Sequence, residues 1–375
     1  MPIVGEGRSG APTYGLASSG NDIVLRHAWA ADVAINPATR EVDADATYRY
    51  AGLGIPLIDL DWSQAWDGPF TVVNDKGGRI GDVARRRRFA TATVSFLRPR
   101  VRRTFSSNLG VQYESRDFTA DVDSVLGPAE SLLRRGTRYP LLFAGASFST
   151  TRRAARAISV EEGFAVGLSG SYRWREDQPS LGSARGILTG RGYLPLDLPG
   201  FARHVLRTYV ALGAADTKTA TAFSVGGVSG VASALLPGIA VGDPSRLFPV
   251  RGVAPGVQRG IRAIAASAEY RAPLVMFRTL PSPFTIFADR MSMSVFTDAA
   301  RAWCPSSLAR TSTPVCERPG ARDGWIASAG AELTFDLALQ YDAAFRLRLG
   351  VAAPYLQPAD VPRRGAFYIT LGSLF

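Results

Sequence analysis

Apolar and polar residues alternate with a period of two in segment after segment of this sequence, with almost no helical period. Between 325 and 337, Leu333 and Phe335 share one parity, whereas Glu332 and Asp336 share the other. Successive side chains of a β-strand point to opposite faces, so this pattern predicts strands with one apolar and one polar face. The chain is therefore predicted to be all-β.

The average hydropathy of the chain narrows the kind of β-protein further. Mean hydropathy is +0.03, and no stretch of about 18 apolar residues is present, which excludes transmembrane helices. A transmembrane barrel places only every second residue against lipid, so its mean hydropathy stays near zero. We therefore predict that residues 1–375 form a single transmembrane antiparallel β-barrel in an outer membrane, with the clearest pattern over 184–375.

Sixteen strands are predicted from the alternation. They lie near 11–18, 23–35, 45–56, 68–74, 87–98, 107–119, 138–149, 158–174, 184–195, 203–214, 219–228, 260–272, 283–302, 325–337, 345–351 and 367–375. An even number puts both chain ends on the periplasmic side. By this count the links 228–260, 303–323 and 196–202 all lie outside. Residues 59–62 are interpreted as a loop.

The first residues of the chain contain no export signal. Residues 1–15 have neither a basic n-region nor an apolar h-region, although an outer-membrane protein must be exported. We therefore expect the signal peptide, and any periplasmic domain before the barrel, to be absent from this chain.

The net charge of the chain is +11, and Lys76 and Lys218 are its only lysines. The arginines are scattered through alternating strands instead of following one helix, so no nucleic-acid partner is expected. The densest run, 85–88, is interpreted as a solvated turn or rim.

The long link 228–260 carries the sequence Val250-Arg251-Gly252. In the two strands that follow, Glu269 and Asp298 have the parity of the barrel interior, so both carboxylates can point into one lumen. A guanidinium between them would hold the loop inside the barrel through charge-assisted, bidentate bonds. Two alternatives stay open, namely an ordinary surface arginine and a purely structural salt bridge.

These residues resemble the Omp85 superfamily, also called the bacterial surface antigen family. The family arginine in a Val-Arg-Gly motif matches Arg251, and its wall partners match Glu269 and Asp298. Val253 and Ala300 differ from the aromatic residue and the glycine that the family often has there. The resemblance implies a sixteen-stranded barrel whose sixth external loop reaches into the lumen.

The resemblance also implies an activity, namely insertion of barrel proteins or transport of polypeptides without a cofactor or hydrolysis. It implies a weak seam at the closing strand, where a substrate strand would pair by β-augmentation. The seam candidates are Phe367, Ile369, Leu371, Gly372 and Phe375. An ordinary closing strand is the alternative. The implied partners are outer-membrane lipids, a polypeptide substrate and the barrel-insertion machinery.

Other classes of protein remain as alternatives. An arginine-lined barrel could be a passive or narrow pore that favours anions, or the barrel could anchor a missing N-terminal domain. An enzyme is not expected, because neither histidine, His27 or His204, has a nucleophile beside it. No catalytic residue is assigned.

The two cysteines, Cys304 and Cys316, stand in one polar link with eleven residues between them. No histidine or further cysteine accompanies them, so a metal site is not expected. A local disulfide in an oxidising compartment is the interpretation that we favour.

Overall fold

The computed structural model describes most of the chain. The described residues are 1–7, 10–73, 78–120, 136–216, 218, 222–230, 233–236, 239–241, 245–277, 286–305, 324–339, 343–358 and 364–373.

The described residues form twenty strands. Sixteen of them make one antiparallel sheet in the order β1-β2-β3-β4-β5-β6-β7-β8-β9-β10-β11-β16-β17-β18-β19-β20, and the pairs β12-β15 and β13-β14 make two small sheets. The strands are β1 Pro2–Glu6, β2 Pro12–Asn21, β3 His27–Ile35, β4 Val42–Tyr50, β5 Leu57–Val73, β6 Arg79–Arg100, β7 Arg103–Ala120, β8 Thr137–Ser149, β9 Gly163–Arg175, β10 Gln178–Leu196, β11 His204–Ala215, β12 Phe223–Val225, β13 Ser233–Leu236, β14 Ile239–Val241, β15 Gln258–Gly260, β16 Arg262–Met276, β17 Ile286–Trp303, β18 Ile326–Leu339, β19 Ala343–Leu356 and β20 Ala366–Ser373. The predicted all-β class with sixteen sheet strands is confirmed.

The described residues contain no helix that is long and apolar enough to cross a membrane.

The chain divides into two compact units, the first of residues 1–98, 106–145 and 171–182. In this first unit, strands β1 to β5 pair in sequence order, each antiparallel to the next. The second unit comprises 99–105, 146–170 and 183–375 and carries β11 and β16 to β20.

The two faces of the sheet in the second unit have opposite burial. On one face, large apolar side chains such as Val295, Val351 and Phe367 are exposed. On the other face, Asp298 and Glu332 are buried. A soluble sandwich would bury its apolar face and expose its charges. Exposed apolar and buried charged faces are the arrangement of a membrane barrel.

The sixteen predicted strands are not the sixteen observed in the sheet. The prediction of a wall strand over 219–228 is wrong, because Phe223–Val225 pairs only with Gln258–Gly260 in a separate two-stranded sheet. The strand Pro2–Glu6 was not predicted. The predicted strand 219–228 lies outside the large sheet and the unpredicted strand Pro2–Glu6 lies in it, so the number of sheet strands is still sixteen.

The interpretation of residues 59–62 as a loop is also wrong, because they lie inside β5. Leu60 and Trp62 are exposed apolar residues, whereas the side chain of Asp59 is mostly buried and forms an ion pair with Arg49. The period-two pattern is therefore present in this segment. Its aspartates lie on the polar face and do not mark a turn.

The observed order corrects the side on which one link lies. Consecutive antiparallel strands reverse direction, so successive links lie alternately at the two opposite ends of the strands. Each of these two sides, where strands begin and end, is here called an edge. The link 216–261 follows β11 and 304–325 follows β17, which places both at one edge. The link 197–203 precedes β11 and lies at the opposite edge, so the prediction that all three links lie on one side is wrong.

The arginine run 85–88 lies within β6, so its interpretation as a turn is wrong. Arg85 contacts Asp67 at 2.7 Å, and Arg86 contacts Asp117 at 3.1 Å. These are ion pairs of the strand wall in the first unit, so the run carries no separate basic surface.

Candidate loop-lock site

The link 216–261 brings Arg251 against the polar face of the second unit. Its guanidinium makes a bidentate pair with Asp298, with Nε to Oδ2 and Nη2 to Oδ1 both at 2.8 Å. The backbone N–H of Arg251 also donates to Asp298 Oδ2 at 3.1 Å. Asp298 is 2% exposed and Arg251 is 7% exposed. The link is therefore fixed to β17 by three charge-assisted hydrogen bonds.

Other strands complete the surroundings of the guanidinium. Arg251 Nη1 lies 3.4 Å from Glu269 on β16 and 4.0 Å from Glu332 on β18. Ser267 accepts a hydrogen bond from Nη2 at 3.4 Å and donates one to Asp298 at 2.7 Å. The guanidinium also stacks on Phe296, with 3.4 Å from its carbon to the ring centroid. One arginine thus contacts three neighbouring strands.

Strand register explains why these side chains meet. Ser267 of β16 is opposite Asp298 of β17, and Glu269 is opposite Phe296. One step further along, Ser294 of β17 is opposite Glu332 of β18. Alternate residues point to the same face. The register therefore brings Glu269 of β16, Asp298 of β17 and Glu332 of β18 close together around the Arg251 guanidinium.

The backbone of the link is shaped for close approach to the wall. Gly252 has φ +81°, and a Cβ there would lie 2.7 Å from Ala352 Cβ and 2.9 Å from its carbonyl oxygen. Only glycine adopts this left-handed conformation without steric cost. Val250 is fully buried and pairs with Gly227 through an isolated β-bridge. Each residue of the Val250-Arg251-Gly252 motif therefore has a separate packing role.

Further contacts hold the rest of the link. Tyr209 Oη of β11 donates to Leu247 O at 2.8 Å, and Arg348 Nη2 of β19 donates to Ser229 O at 2.6 Å. Phe248 is buried against Phe223, with an edge-to-face ring contact at 5.5 Å. The part of the link that precedes the motif is thus also fixed to the sheet.

The electrostatics keep Arg251 charged. Burial lowers the pKa of the Arg251 guanidinium, but the hydrogen bonds and charge of Asp298, with the charges of Glu269 and Glu332, more than offset it and raise the pKa above its usual range. Arg251 therefore stays protonated over the physiological pH range.

Two contributors were not identified from the sequence. Glu332 faces Arg251 and accepts a hydrogen bond from Tyr368 Oη at 2.9 Å. Phe296 provides the ring under the guanidinium. Phe296 has the parity of Asp298 on β17, and Glu332 has the polar parity of β18. The alternation therefore assigned both to the interior face, but it could not show that they contact Arg251.

Four of the closing-strand residues, Phe367, Ile369, Leu371 and Gly372, lie in β20, which pairs with β19 and is the last strand in the sheet order. Phe367 and Ile369 are exposed apolar residues. Leu371 and Gly372 line the same cavity as Arg251. Phe375 lies outside the described residues.

Cys304 directly follows β17 and is disulfide-bonded. Cys316 lies outside the described residues, so the pairing of these two cysteines stays a prediction. The described part of the chain contains no group of three or more His, Cys, Asp or Glu side chains that could hold a metal ion.

Solved structures share this fold. BamA from Haemophilus ducreyi lacking POTRA domains 1–3 aligns with 99% of this chain and 69% of its own, at 13% identity and a TM-score of 0.52. CdiB from Escherichia coli aligns with 98% of this chain and 61% of its own, at 12% identity and a TM-score of 0.50. At these identities the likeness is one of fold alone, and this chain has the fold that BamA and CdiB share.

The sequence itself matches no protein-family model and no curated protein sequence. The fold is shared at an identity too low to carry function with it.

Proposed function

We propose that this chain is an outer-membrane barrel that inserts membrane proteins or carries polypeptides across the outer membrane, without an enzymatic step. The observation that carries the proposal is the link 216–261, fixed by Arg251 to the polar face of a sixteen-stranded sheet whose fold BamA and CdiB share. An exposed apolar face, which lipid would cover, supports the membrane location.

In the proposed mechanism, one part of the barrel closes the path through it and another part opens to the substrate. Arg251 and its carboxylates hold the link over the polar face and close the path through the barrel. Strand β20 ends the sheet order, and a seam at this strand would open sideways. Unpaired N–H and C=O groups are costly in lipid, so an opened strand edge would capture a substrate strand by hydrogen bonding.

A photo-crosslinking experiment tests the seam. A photo-reactive amino acid at Ile369 of β20 is expected to form several-fold more adducts with polypeptides than one at Leu333 of β18, after expression in a Gram-negative outer membrane. Both positions are exposed and apolar, at 60% and 40%, and a several-fold difference in adducts is larger than this difference in exposure. Equal yields at the two positions, or no polypeptide adduct at Ile369, would contradict the proposal.

A narrow anion-favouring path is a second candidate function, supported by one cavity. This cavity has a volume of about 360 Å³, and the described residues around it include seven arginines but only three carboxylates. Arg191 and Arg271 are among the arginines. Such an excess of positive charge in a confined space concentrates anions.

Ion selectivity tests this candidate. With a salt gradient across a planar bilayer, Arg191→Gln is expected to lower the chloride-to-potassium permeability ratio about twofold, because one of the lining charges is lost. Arg259→Gln is the control, since Arg259 is exposed in the link and does not line the cavity. A ratio unaffected by Arg191→Gln would remove this candidate.

A further inference from the structure

The link between β8 and β9 folds as a short hairpin, here called the 150–162 hairpin. Arg152 N donates to Glu162 O at 3.0 Å, and Glu161 N donates to Arg152 O at 2.9 Å. The side chains of Arg152 and Glu162 also form an ion pair at 2.9 Å. The two arms are therefore held together, and the hairpin can move as a unit.

The tip of this hairpin is buried although it belongs to a link. Ala157, Ile158 and Ser159 are all buried, at 1%, 3% and 6% exposure. Arg290 Nη1 of β17 donates to Ala157 O at 2.6 Å, and Arg346 Nη2 of β19 donates to Ile158 O at 3.3 Å. Two guanidinium groups of the wall thus hold the main chain of the tip.

A carboxylate positions both guanidinium groups. Asp336 of β18 is 1% exposed and accepts two bonds from Arg346, at 2.7 and 3.0 Å. Arg290 Nε lies 3.6 Å from Asp336 Oδ2. Register places Asp336 directly opposite both arginines, so the three residues form one row across three strands, here called the Asp336 row.

The Asp336 row lies near the edge opposite to the Arg251 site. Arg290 is eight residues before Asp298 on β17, which corresponds to about 26 Å along a strand. The hairpin follows β8 and so enters from the same edge as the link 197–203, whereas the link 216–261 enters from the other edge. The polar face is therefore covered by two segments that arrive from opposite sides.

The contacts of the tip are suited to reversible release. Its acceptors are main-chain carbonyls, which water can satisfy when the hairpin moves away. Arg346 makes its bidentate pair with Asp336 within the wall, so this buried carboxylate keeps its partner when the hairpin moves away. At the Arg251 site, by contrast, the hydrogen bonds to the wall come from a charged side chain of the moving segment.

We propose that the 150–162 hairpin is a second, releasable latch on the polar face, held by the Asp336 row at the edge opposite to Arg251. Passage of a polypeptide through the barrel would then require both segments to move, a consequence that rests on the proposed function. The latch itself does not depend on any substrate.

Cysteine labelling tests the latch in the full-length chain in lipid vesicles. Ser159→Cys probes the buried tip, and Ala155→Cys probes an exposed position of the same hairpin. Cys304 is disulfide-bonded and does not compete for a thiol reagent. We expect a small polar thiol reagent to label Ser159→Cys about tenfold more slowly than Ala155→Cys, because labelling requires local opening.

Removing the latch arginine should then raise the labelling rate of the tip. Adding Arg346→Gln to Ser159→Cys is expected to raise its rate several-fold and to leave Ala155→Cys unchanged. Arg348→Gln is the matched control, because Arg348 lies on the same strand and face but donates to Ser229 of the other link. Asp336→Asn is a second test of the row if Arg346→Gln loses its strand content by circular dichroism.

Three results would overturn the latch. The first is equal labelling of Ser159→Cys and Ala155→Cys in the otherwise unchanged chain. The second is a tip rate that neither Arg346→Gln nor Asp336→Asn raises in folded protein. The third is an equal increase with Arg348→Gln, which would indicate general loosening of the barrel.

Discussion

Arg251→Ala is expected to convert a mostly closed barrel with irregular openings into one with larger, unstable currents in planar bilayers. The substitution removes the side chain that fixes the link 216–261 to Asp298 and Glu269, which are 2% and 4% exposed. Breaking a buried ion pair by removing one partner costs about 3–5 kcal/mol. This loss is large enough to release the link, and entering water would solvate the two carboxylates.

Two controls separate the ion pair from the charge of the link. Arg259→Ala removes an exposed arginine from the same link and should leave the current unchanged. Arg251→Lys keeps the charge but cannot reproduce the bidentate pair, so it should lie between wild type and Arg251→Ala. Steady, anion-selective current that is the same in wild type and Arg251→Ala would refute the loop lock and favour a pore.

Gly252→Ala is expected to release the link without removing any polar group. The left-handed conformation at φ +81° costs a residue with a Cβ about 1–2 kcal/mol. The new methyl would also meet Ala352 at 2.7 Å from its Cβ and 2.9 Å from its oxygen. Because the backbone of β19 cannot retreat, the link must shift, and the currents should become unstable as in Arg251→Ala.

Gly256→Ala provides a matched control for backbone strain. Gly256 is in the same link with φ +71°, but the nearest atom to its added Cβ is 3.5 Å away on the flexible side chain of Arg259. This variant should therefore lose a similar amount of stability from strain and still conduct like wild type. Equal currents for Gly252→Ala and Gly256→Ala would indicate that contact with the wall does not hold the link.

The period-two alternation was sufficient for the class of fold and for the assignment of faces. Asp298 and Glu269 were placed on one face by parity alone, and the structure brings both to Arg251. The reason is that pleating fixes side-chain direction residue by residue, whatever the strand pairs with. The aspartates of β5 show the limit, because charges on a polar face were interpreted as a loop.

The segment 219–228 shows a different limit. Its residues alternate, and Phe223 and Val225 are buried, but they pair with β15 instead of extending the wall. Alternation reports that a segment is extended and has two unlike faces. It does not report which strand accepts its hydrogen bonds, because pairing depends on residues far away in the sequence.

The sequence by itself determined the all-β class, the two-faced strands and the arginine with its two principal carboxylates, since each depends on local periodicity or on a short motif. Only the tertiary structure decided strand identity, the edge at which each link lies, and the contacts of Glu332 and Asp336. The 150–162 hairpin is an example of a contact that only the tertiary structure decided. Its tip is held through main-chain carbonyls, which every residue has, so no side-chain pattern could have indicated it.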